Sequence, residues 1–144
     1  MKRVLIFYAS YGGGHLSAAK SILKYITKHY PNVEAEMVDC MKYINKPIEK
    51  VTTGAYREMA KKAPRLWGKV YSGSEKGLLS KISKDSNKLM ARKLNHLLKE
   101  KRPDLVISTH PFSSQMVSYL KRKGKLNCTL ATIMTDFAMH KQWL

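Results

Sequence analysis

The sequence predicts an α/β fold, in which a doubly wound parallel sheet forms a single domain. Two observations support this prediction: short apolar runs alternate with stretches of helical periodicity, and glycine or proline separates them. The chain has 144 residues, of which 44% are hydrophobic, and this suffices for one core of ordinary size. No apolar run reaches the roughly eighteen residues of a membrane span, and no signal peptide is expected.

The first strand, turn and helix lie at the start of the chain. Residues 3–9 (RVLIFYA) are almost continuously apolar, as in a strand that is buried on both faces of a parallel sheet. The run ends at the glycine turn SYGGGH, and apolar residues then recur at helical spacing until Pro31. Residues 34–39 (EAEMVD) alternate as a second strand would. These segments predict a βαβ unit with a right-handed crossover.

The same order of elements returns in the last third of the chain. Residues 88–101 carry apolar side chains on one helical face, and residues 104–108 (DLVIS) form a third apolar run after a proline. A helix of about two turns is predicted to follow Pro111, and residues 129–134 (TLATIM) supply a fourth strand. Strands that alternate with helices in this way are typical of a doubly wound sheet.

Polar loops follow three of the predicted strands. They cover residues 12–15, 109–114 and 135–140, and each contains a histidine. Because ligands of doubly wound sheets gather at the carboxyl ends of the strands, we expect these loops to form one site.

The glycine turn is the first candidate site. Backbone N–H groups of Gly12, Gly13 and Gly14, together with the positive end of the helix dipole, favour an anion such as a phosphate. The competing interpretation is a tight turn without a ligand, since neither a dinucleotide fingerprint nor a P-loop is present. A helix N-terminus also keeps His15 neutral, which is the state that a general base requires. A capping or surface histidine is the alternative.

The other two loops carry further candidates. His110 and Ser113 can line a polar cleft, or the loop can cap a helix through its hydroxyls. Asp136 directly follows the fourth strand and can orient or activate a base, or cap a helix. His140 is a candidate ligand contact, although a lone histidine near a terminus is commonly a surface residue.

Positive charge is concentrated in the middle of the chain. Lys and Arg number 27 against 10 Asp and Glu, a net charge of +17, and residues 41–102 hold 17 basic and 5 acidic residues, a net +12. Such a field attracts nucleic acid, anionic lipid or phosphorylated ligands. Residues 41–84 do not follow the strand and helix alternation, so we predict an insertion there.

The insertion has the composition of a membrane-interface segment. Apolar pairs alternate with lysines, so that aromatic and aliphatic side chains can enter the headgroup region while lysines contact anionic lipid. A solvated face and a nucleic-acid surface are the alternatives, although no nucleic-acid-binding motif is present. The predicted membrane contacts are Leu66, Trp67, Lys69, Tyr71, Leu78, Leu79 and Lys81.

The two cysteines predict neither a disulfide nor a metal centre. Cys40 and Cys128 are far apart and belong to no CxxC or Cys/His spacing. Small buried thiols in a reducing cytoplasm are the expected state.

Three segments together resemble one enzyme family. They are residues 8–19 (YASYGGGHLSAA), 108–116 (STHPFSSQM) and 135–143 (TDFAMHKQW), and residues 64–71 (PRLWGKVY) are similar to the family's middle region. The resemblance is to the N-terminal domain of monogalactosyldiacylglycerol synthases and bacterial diacylglycerol glucosyltransferases. These enzymes are similar in turn to the N-acetylglucosaminyl transferase that forms lipid II.

The resemblance implies the N-terminal, Rossmann-like half of a GT-B glycosyltransferase. This half would bind diacylglycerol and anionic membrane lipid, while a C-terminal half, absent from these 144 residues, would bind the UDP-sugar as a co-substrate. The implied reaction is inverting and needs no metal or other cofactor. The family's glycine-loop histidine corresponds to His15, the expected base, with Asp136 as the alternate base or the orienting acid. His110, Ser113 and His140 would line the cleft.

The resemblance also implies a location and leaves rival functions to be weighed. A cytoplasmic protein, peripheral on the inner face of the cell membrane, is expected, and the isolated chain is expected to be inactive. The main alternative is a non-catalytic α/β module that binds membrane or a ligand, and a basic nucleic-acid-binding domain is a further one.

Overall fold

The computed structural model describes residues 1–10, 13–44, 78–137 and 143, and for residues 78–89 it describes the backbone only. The elements in chain order are β1 (Lys2–Tyr8), α1 (Gly13–His29), β2 (Val33–Asp39), α2 (Cys40–Ile44), α3 (Leu78–Lys101), β3 (Leu105–Ser108), α4 (Pro111–Arg122) and β4 (Thr129–Thr132). Within these residues, strands and helices alternate as predicted.

The four described strands form one parallel sheet in the order β2-β1-β3-β4. Phe7 of β1 is in register with Val38 of β2 and with Ser108 of β3, which in turn is in register with Thr132 of β4. All the strands therefore end at the same edge of the sheet. The predicted α/β fold with a Rossmann-like parallel sheet is confirmed, and it is consistent with the N-terminal half of a GT-B enzyme.

Strand β1 lies inside the sheet and is buried on both faces, as its apolar run predicts. Leu5 and Phe7 point into a core that is shared with α3 and α4, whereas Val4 and Ile6 point to the opposite face, against α1. Alternate side chains of a strand point to opposite faces, so the continuous apolar run supplies both cores. The larger core includes Leu94, Leu98, Val106, Met116, Val117 and Leu120.

The bounds of three elements differ from the sequence prediction by more than one residue. Helix α3 begins at Leu78 rather than at residue 88, so residues 78–84, which we assigned to the insertion, belong to its first turns. Residues 78–101 contain no glycine or proline, so no helix-breaking residue delays the start of α3 to residue 88. Helix α4 has 12 residues, about three turns, and ends just before Gly124, whose φ of 64° is typical of a helix C-terminus. Strand β4 ends at Thr132 rather than at residue 134.

A buried aspartate joins the first loop to the second strand. Asp39, 8% exposed, accepts hydrogen bonds from the backbone N–H groups of Met41 and Lys42 at 3.1 Å each, and Ser10 donates to its other oxygen. The carboxylate thereby satisfies N–H groups at the start of α2 and fixes the chain where it leaves β1.

Both cysteines are buried and unpaired, as predicted. Burial, together with the adjacent negative charge of Asp39, raises the pKa of the Cys40 thiol to about 12. Burial also raises the pKa of Cys128. Thiols in this state are unreactive, and their role is packing.

The predicted membrane surface falls largely outside the described residues. Leu66, Trp67, Lys69 and Tyr71 lie outside them, and so do the side chains of Leu78, Leu79 and Lys81, whose backbone forms the start of α3. Within the described ranges, no helix combines the length and the apolar composition that crossing a membrane requires.

Candidate functional site

Three chain segments meet at the carboxyl edge of the sheet, as the sequence predicts. His15 lies in the first turn of α1, and its Nδ1 is 2.6 Å from the backbone oxygen of Thr109, which follows β3. The hydroxyl oxygen of Thr135, after β4, lies 2.6 Å from the same nitrogen. The imidazole is therefore held between the ends of two neighbouring strands.

The contact with Thr109 favours a proton on Nδ1 of His15. A carbonyl oxygen can only accept, so this short contact is a hydrogen bond when Nδ1–H donates to it. In the neutral ring, Nε2 then bears the lone pair. That nitrogen lies 4.0 Å from Oδ1 of Asp136, and the two side chains are 13% and 32% exposed. An imidazole and a carboxylate thus face each other at the carboxyl edge of the sheet.

Hydrogen bonds of Thr109 connect the start of α1 to the sheet. Its side chain is fully buried, and its hydroxyl lies within hydrogen-bonding distance of the backbone oxygens of His15, at 2.9 Å, and Phe7, at 3.2 Å. Its backbone N–H also donates to the Phe7 oxygen, at 2.9 Å. The backbone of His15 is thereby tied to the same residue that its imidazole contacts, which limits rotation of the ring.

A hydrogen bond holds the second carboxylate oxygen of Asp136. The indole N–H of Trp143 donates to its Oδ2 at 2.6 Å, and Trp143 itself is 8% exposed. The Trp143 ring also lies near His15, with the ring centroids 6.3 Å apart. Residue 143 therefore closes one side of the site.

His110 closes the other side and is buried. Its ring meets that of His15 edge to face, with the centroids 4.6 Å apart, and stacks on Phe112 at 5.3 Å. Its Nδ1 accepts the N–H of Phe112 at 3.2 Å, so His110 is the N-cap of α4. Burial, and secondly the charge of His15, lower the pKa of His110 to about 3. This loop caps α4, as one of the two interpretations of its sequence predicts, but the His110 imidazole supplies the cap instead of a hydroxyl.

Ser113 is buried rather than exposed at the site. The residue is fully buried, its hydroxyl donates to the His110 backbone oxygen at 2.9 Å, and the hydroxyl of Ser108 is a second partner. These bonds stabilise the turn between β3 and α4. Ser113 thus supports the position of His110, and direct contact with a ligand would need the turn to open.

The described glycines leave space above the start of α1. A methyl group at Gly13 would meet nothing within 4 Å, and one at Gly14 would reach only Thr135, at 3.9 Å. Neither glycine has a positive φ. Neither crowding nor backbone strain therefore explains these glycines, and the open space suits close approach of a ligand. Gly12 and His140 lie outside the described residues.

A concave surface lies at the opposite edge of the sheet and is a poor candidate for a ligand site. Arg3, Glu34, Glu36 and Lys101 line it, near the amino ends of the strands. Its charges pair with one another: Lys101 is 2.6 Å from Glu36, and Arg3 is 3.4 Å from Glu34. These paired charges are less available to a ligand than unpaired ones would be.

Three residues of the site were not among the candidates from sequence. Thr109, Thr135 and Trp143 all lie within the motifs that carry the resemblance, but the sequence predicts a role only for Thr109, as a hydroxyl that could cap a helix. Thr109 follows a strand and Thr135 precedes an acid, whereas Trp143 has no such local signal. The contacts with His15 join residues that are 94 positions apart in the sequence for Thr109 and 120 for Thr135. The order of the strands in the sheet brings such residues together.

Comparison with known proteins identifies the family. The sequence model described as monogalactosyldiacylglycerol (MGDG) synthase matches residues 15–144. A processive diacylglycerol beta-glucosyltransferase of Bacillus cytotoxicus is 29% identical over 143 residues, which are 99% of this chain and 36% of the relative.

Relatives of the same name occur in two further species. The protein from Bacillus licheniformis is 27% identical over 144 residues (99% of this chain, 37% of the relative), and the one from Staphylococcus carnosus is 26% identical over 153 residues (99% and 36%). The chain spans about a third of the length of these curated relatives, and no solved structure matches it significantly. The parallel sheet, the histidine at its carboxyl edge and these matches together show that the chain belongs to the monogalactosyldiacylglycerol synthase family.

Proposed function

We propose that the chain is the acceptor- and membrane-binding half of an inverting glycosyltransferase that transfers a hexose from a UDP-sugar to diacylglycerol. The observation that carries this proposal is the pairing of His15 Nε2 with Asp136 at the carboxyl edge of the sheet, in a chain of this family. The relatives, which bear the name diacylglycerol beta-glucosyltransferase, support a hexose as the transferred group and diacylglycerol as the acceptor.

His15 acts as the general base in this proposal. Because Nδ1–H is engaged by Thr109, the lone pair of Nε2 is the one that can take the acceptor proton. The diacylglycerol oxygen then forms its bond to the anomeric carbon while the bond to the UDP oxygen breaks. The UDP leaves with the electron pair from the opposite face, and the anomeric configuration inverts.

Asp136 assists the base in this reaction. As a carboxylate 4.0 Å from Nε2, it lies too far for a direct hydrogen bond but close enough to stabilise the imidazolium that forms. An acceptor oxygen beside this pair can lie about 2.8 Å from both atoms, but its single proton is donated to only one of them. Asp136 would therefore orient the hydroxyl as it enters and then stabilise the imidazolium, and it is the alternate base.

The start of α1 would receive phosphate oxygens of the donor. Backbone N–H groups of Gly12, Gly13 and Gly14 would stabilise the charge that builds on the departing diphosphate. The absence of packing demands on Gly13 and Gly14 supports this role. His110 and His140 would line the acceptor side, with Ser113 as support beneath them.

An exposed apolar rim beside the catalytic pair supports a lipid acceptor. Ile133 and Met134, between β4 and the acid, are 38% and 47% exposed, and Phe137, directly after Asp136, is fully exposed. Exposed apolar side chains on both sides of Asp136 in the sequence suit a substrate with a polar hydroxyl end and apolar chains. The glycerol hydroxyl would enter between His15 and Asp136 while the acyl chains lie over this rim.

The division of labour between two halves predicts that the isolated chain transfers no sugar. A chimera of residues 1–144 with the remainder of the Bacillus cytotoxicus relative should form glycosylated diacylglycerol from a UDP-sugar. The measurement is transfer of radiolabelled hexose into a lipid extract, with the relative itself as positive control. An active isolated chain, or tight calorimetric binding of a UDP-sugar to it, would contradict this division.

The central basic segment supports a peripheral place on the cytoplasmic, inner face of the cell membrane. Residues 41–102 carry a net charge of +12, and each well-placed Lys or Arg contributes roughly 1 kcal/mol towards anionic lipid. Leu66, Trp67 and Tyr71 would enter the interface, with Leu78 and Leu79 beside them, while Lys69 and Lys81 contact headgroups.

The chain should therefore bind vesicles that contain anionic lipid and leave them as the salt concentration rises. Co-sedimentation with vesicles of phosphatidylglycerol and phosphatidylcholine, compared with phosphatidylcholine alone, measures this. Trp67→Ala should weaken binding with the net charge unchanged, and Tyr25→Ala, an exposed aromatic on α1, is the matched control. Equal binding to neutral vesicles would exclude the electrostatic contribution.

A further inference from the structure

The two carboxylate oxygens of Asp136 have different surroundings. Oδ2 accepts the indole N–H of Trp143 at 2.6 Å, whereas Oδ1 is directed towards Nε2 of His15 at 4.0 Å. The side chain of Asp136 is about one-third exposed, so water is the competing partner for either oxygen. The bond from Trp143 decides which oxygen faces the histidine.

Trp143 is well suited to fix this orientation. The indole N–H is a donor only, and the ring is rigid with two rotatable side-chain bonds. The residue is 8% exposed, with its ring close to that of His15 at an interplanar angle of 44°. A hydrogen bond from a buried, rigid donor to a carboxylate is charge-assisted and stronger than one between neutral groups.

Free rotation of Asp136 would weaken the catalytic pair. The residue follows the end of β4 in a segment without regular structure, so the backbone alone does not fix the carboxylate. Without the indole donor, both oxygens would be solvated, and Oδ1 would lose its fixed direction towards Nε2. Small displacements of a catalytic group are costly because the reacting atoms must be aligned.

We propose that Trp143 is a positioning residue, which holds Asp136 so that Oδ1 faces His15 across the place of the acceptor hydroxyl. The inference rests on the proposed function of His15 and Asp136. The alternative is that Trp143 only fills space beside His15, in which case its N–H has no part in turnover.

The hydrogen bond itself is tested in the 144-residue chain by exchange of the indole N–H with solvent. Nuclear magnetic resonance resolves the two indole signals, and Trp67→Phe assigns them. We expect the Trp143 signal to exchange about tenfold faster in Asp136→Ala than in the parent chain, because the acceptor is gone. An unchanged exchange rate would overturn the proposal.

The role in turnover is tested in the chimera with a double-mutant cycle. Trp143→Phe keeps an aromatic ring but removes the donor, and it should lower kcat about tenfold with the KM for diacylglycerol within about twofold. In the Asp136→Ala background, the same substitution should have almost no further effect, because the acceptor of the indole N–H is gone and Trp143 acts through Asp136. Equal losses in both backgrounds, or a rise in KM alone, would show a packing role and overturn the proposal.

Failure of the proposed function gives a different pattern. If the chimera is active but His15→Ala and Asp136→Asn both keep normal turnover, the catalytic pair is wrong whatever Trp143 does. Positioning for catalysis by Trp143 is then overturned as well, while the exchange measurement still decides whether its N–H holds Asp136. If both single variants lose activity and Trp143→Phe does not, only the inference on Trp143 fails.

Discussion

His15→Ala should lower the turnover of the chimera by roughly 10²–10⁴-fold, the usual contribution of a positioned general base. The reason lies in the contacts of the ring: Nδ1 is engaged by Thr109 and Thr135, and Nε2 is the nitrogen that faces Asp136. Alanine removes the proton acceptor but keeps a good helix former in the first turn of α1. The measurement is kcat with saturating diacylglycerol and UDP-sugar.

The matched control is His29→Ala, at the exposed C-terminal end of the same helix. It should leave turnover within about twofold, since surface substitutions away from a site have small effects. Co-sedimentation with vesicles should be nearly the same for His15→Ala and the parent protein, because the proposed function assigns His15 to catalysis and membrane affinity to the central segment. Near-normal turnover of His15→Ala would contradict the role of His15 as the base, and Asp136 would then be the candidate for that role.

The fold could be predicted because each element carries its own local signal. The apolar run of β1 matches a strand with buried residues on both faces, and Pro111 marks the first residue of α4. Once the strands are parallel, all their carboxyl ends lie at one edge, so the meeting of His15 with the loops after β3 and β4 follows from topology alone.

The chemistry within the site could not be predicted in the same way. The position of the His15 proton depends on the oxygen of Thr109, and the orientation of Asp136 depends on an indole seven residues further along the chain. Neither contact leaves a periodic pattern in the sequence. The burial of His110 is likewise a result of packing between α4, β3 and His15, and from sequence alone it was equally compatible with an exposed cleft residue.

His110 should make the folded chain sensitive to acid. Burial, together with the charge of His15, lowers the pKa of His110 to about 3 from its ordinary value of 6.5. Between those two values the unfolded chain takes up a proton at this residue and the folded chain does not, so stability falls as the pH falls. The contribution is about 2 kcal/mol at pH 5, which is roughly a 30-fold change in the folding equilibrium.

The geometry also predicts that protonation of His110 destabilises the folded chain. A proton on Nδ1 would place a donor against the N–H of Phe112 and break the cap of α4. His110→Asn tests this, since an asparagine oxygen can accept that N–H but takes no proton in this range. Urea unfolding at pH 7 and pH 5, followed by circular dichroism, should show a smaller loss of stability for His110→Asn than for the parent chain. His96→Asn, at an exposed position of α3, is the control that should leave the loss unchanged. Equal losses for His110→Asn and the parent would mean that the buried imidazole is not the source of the acid sensitivity.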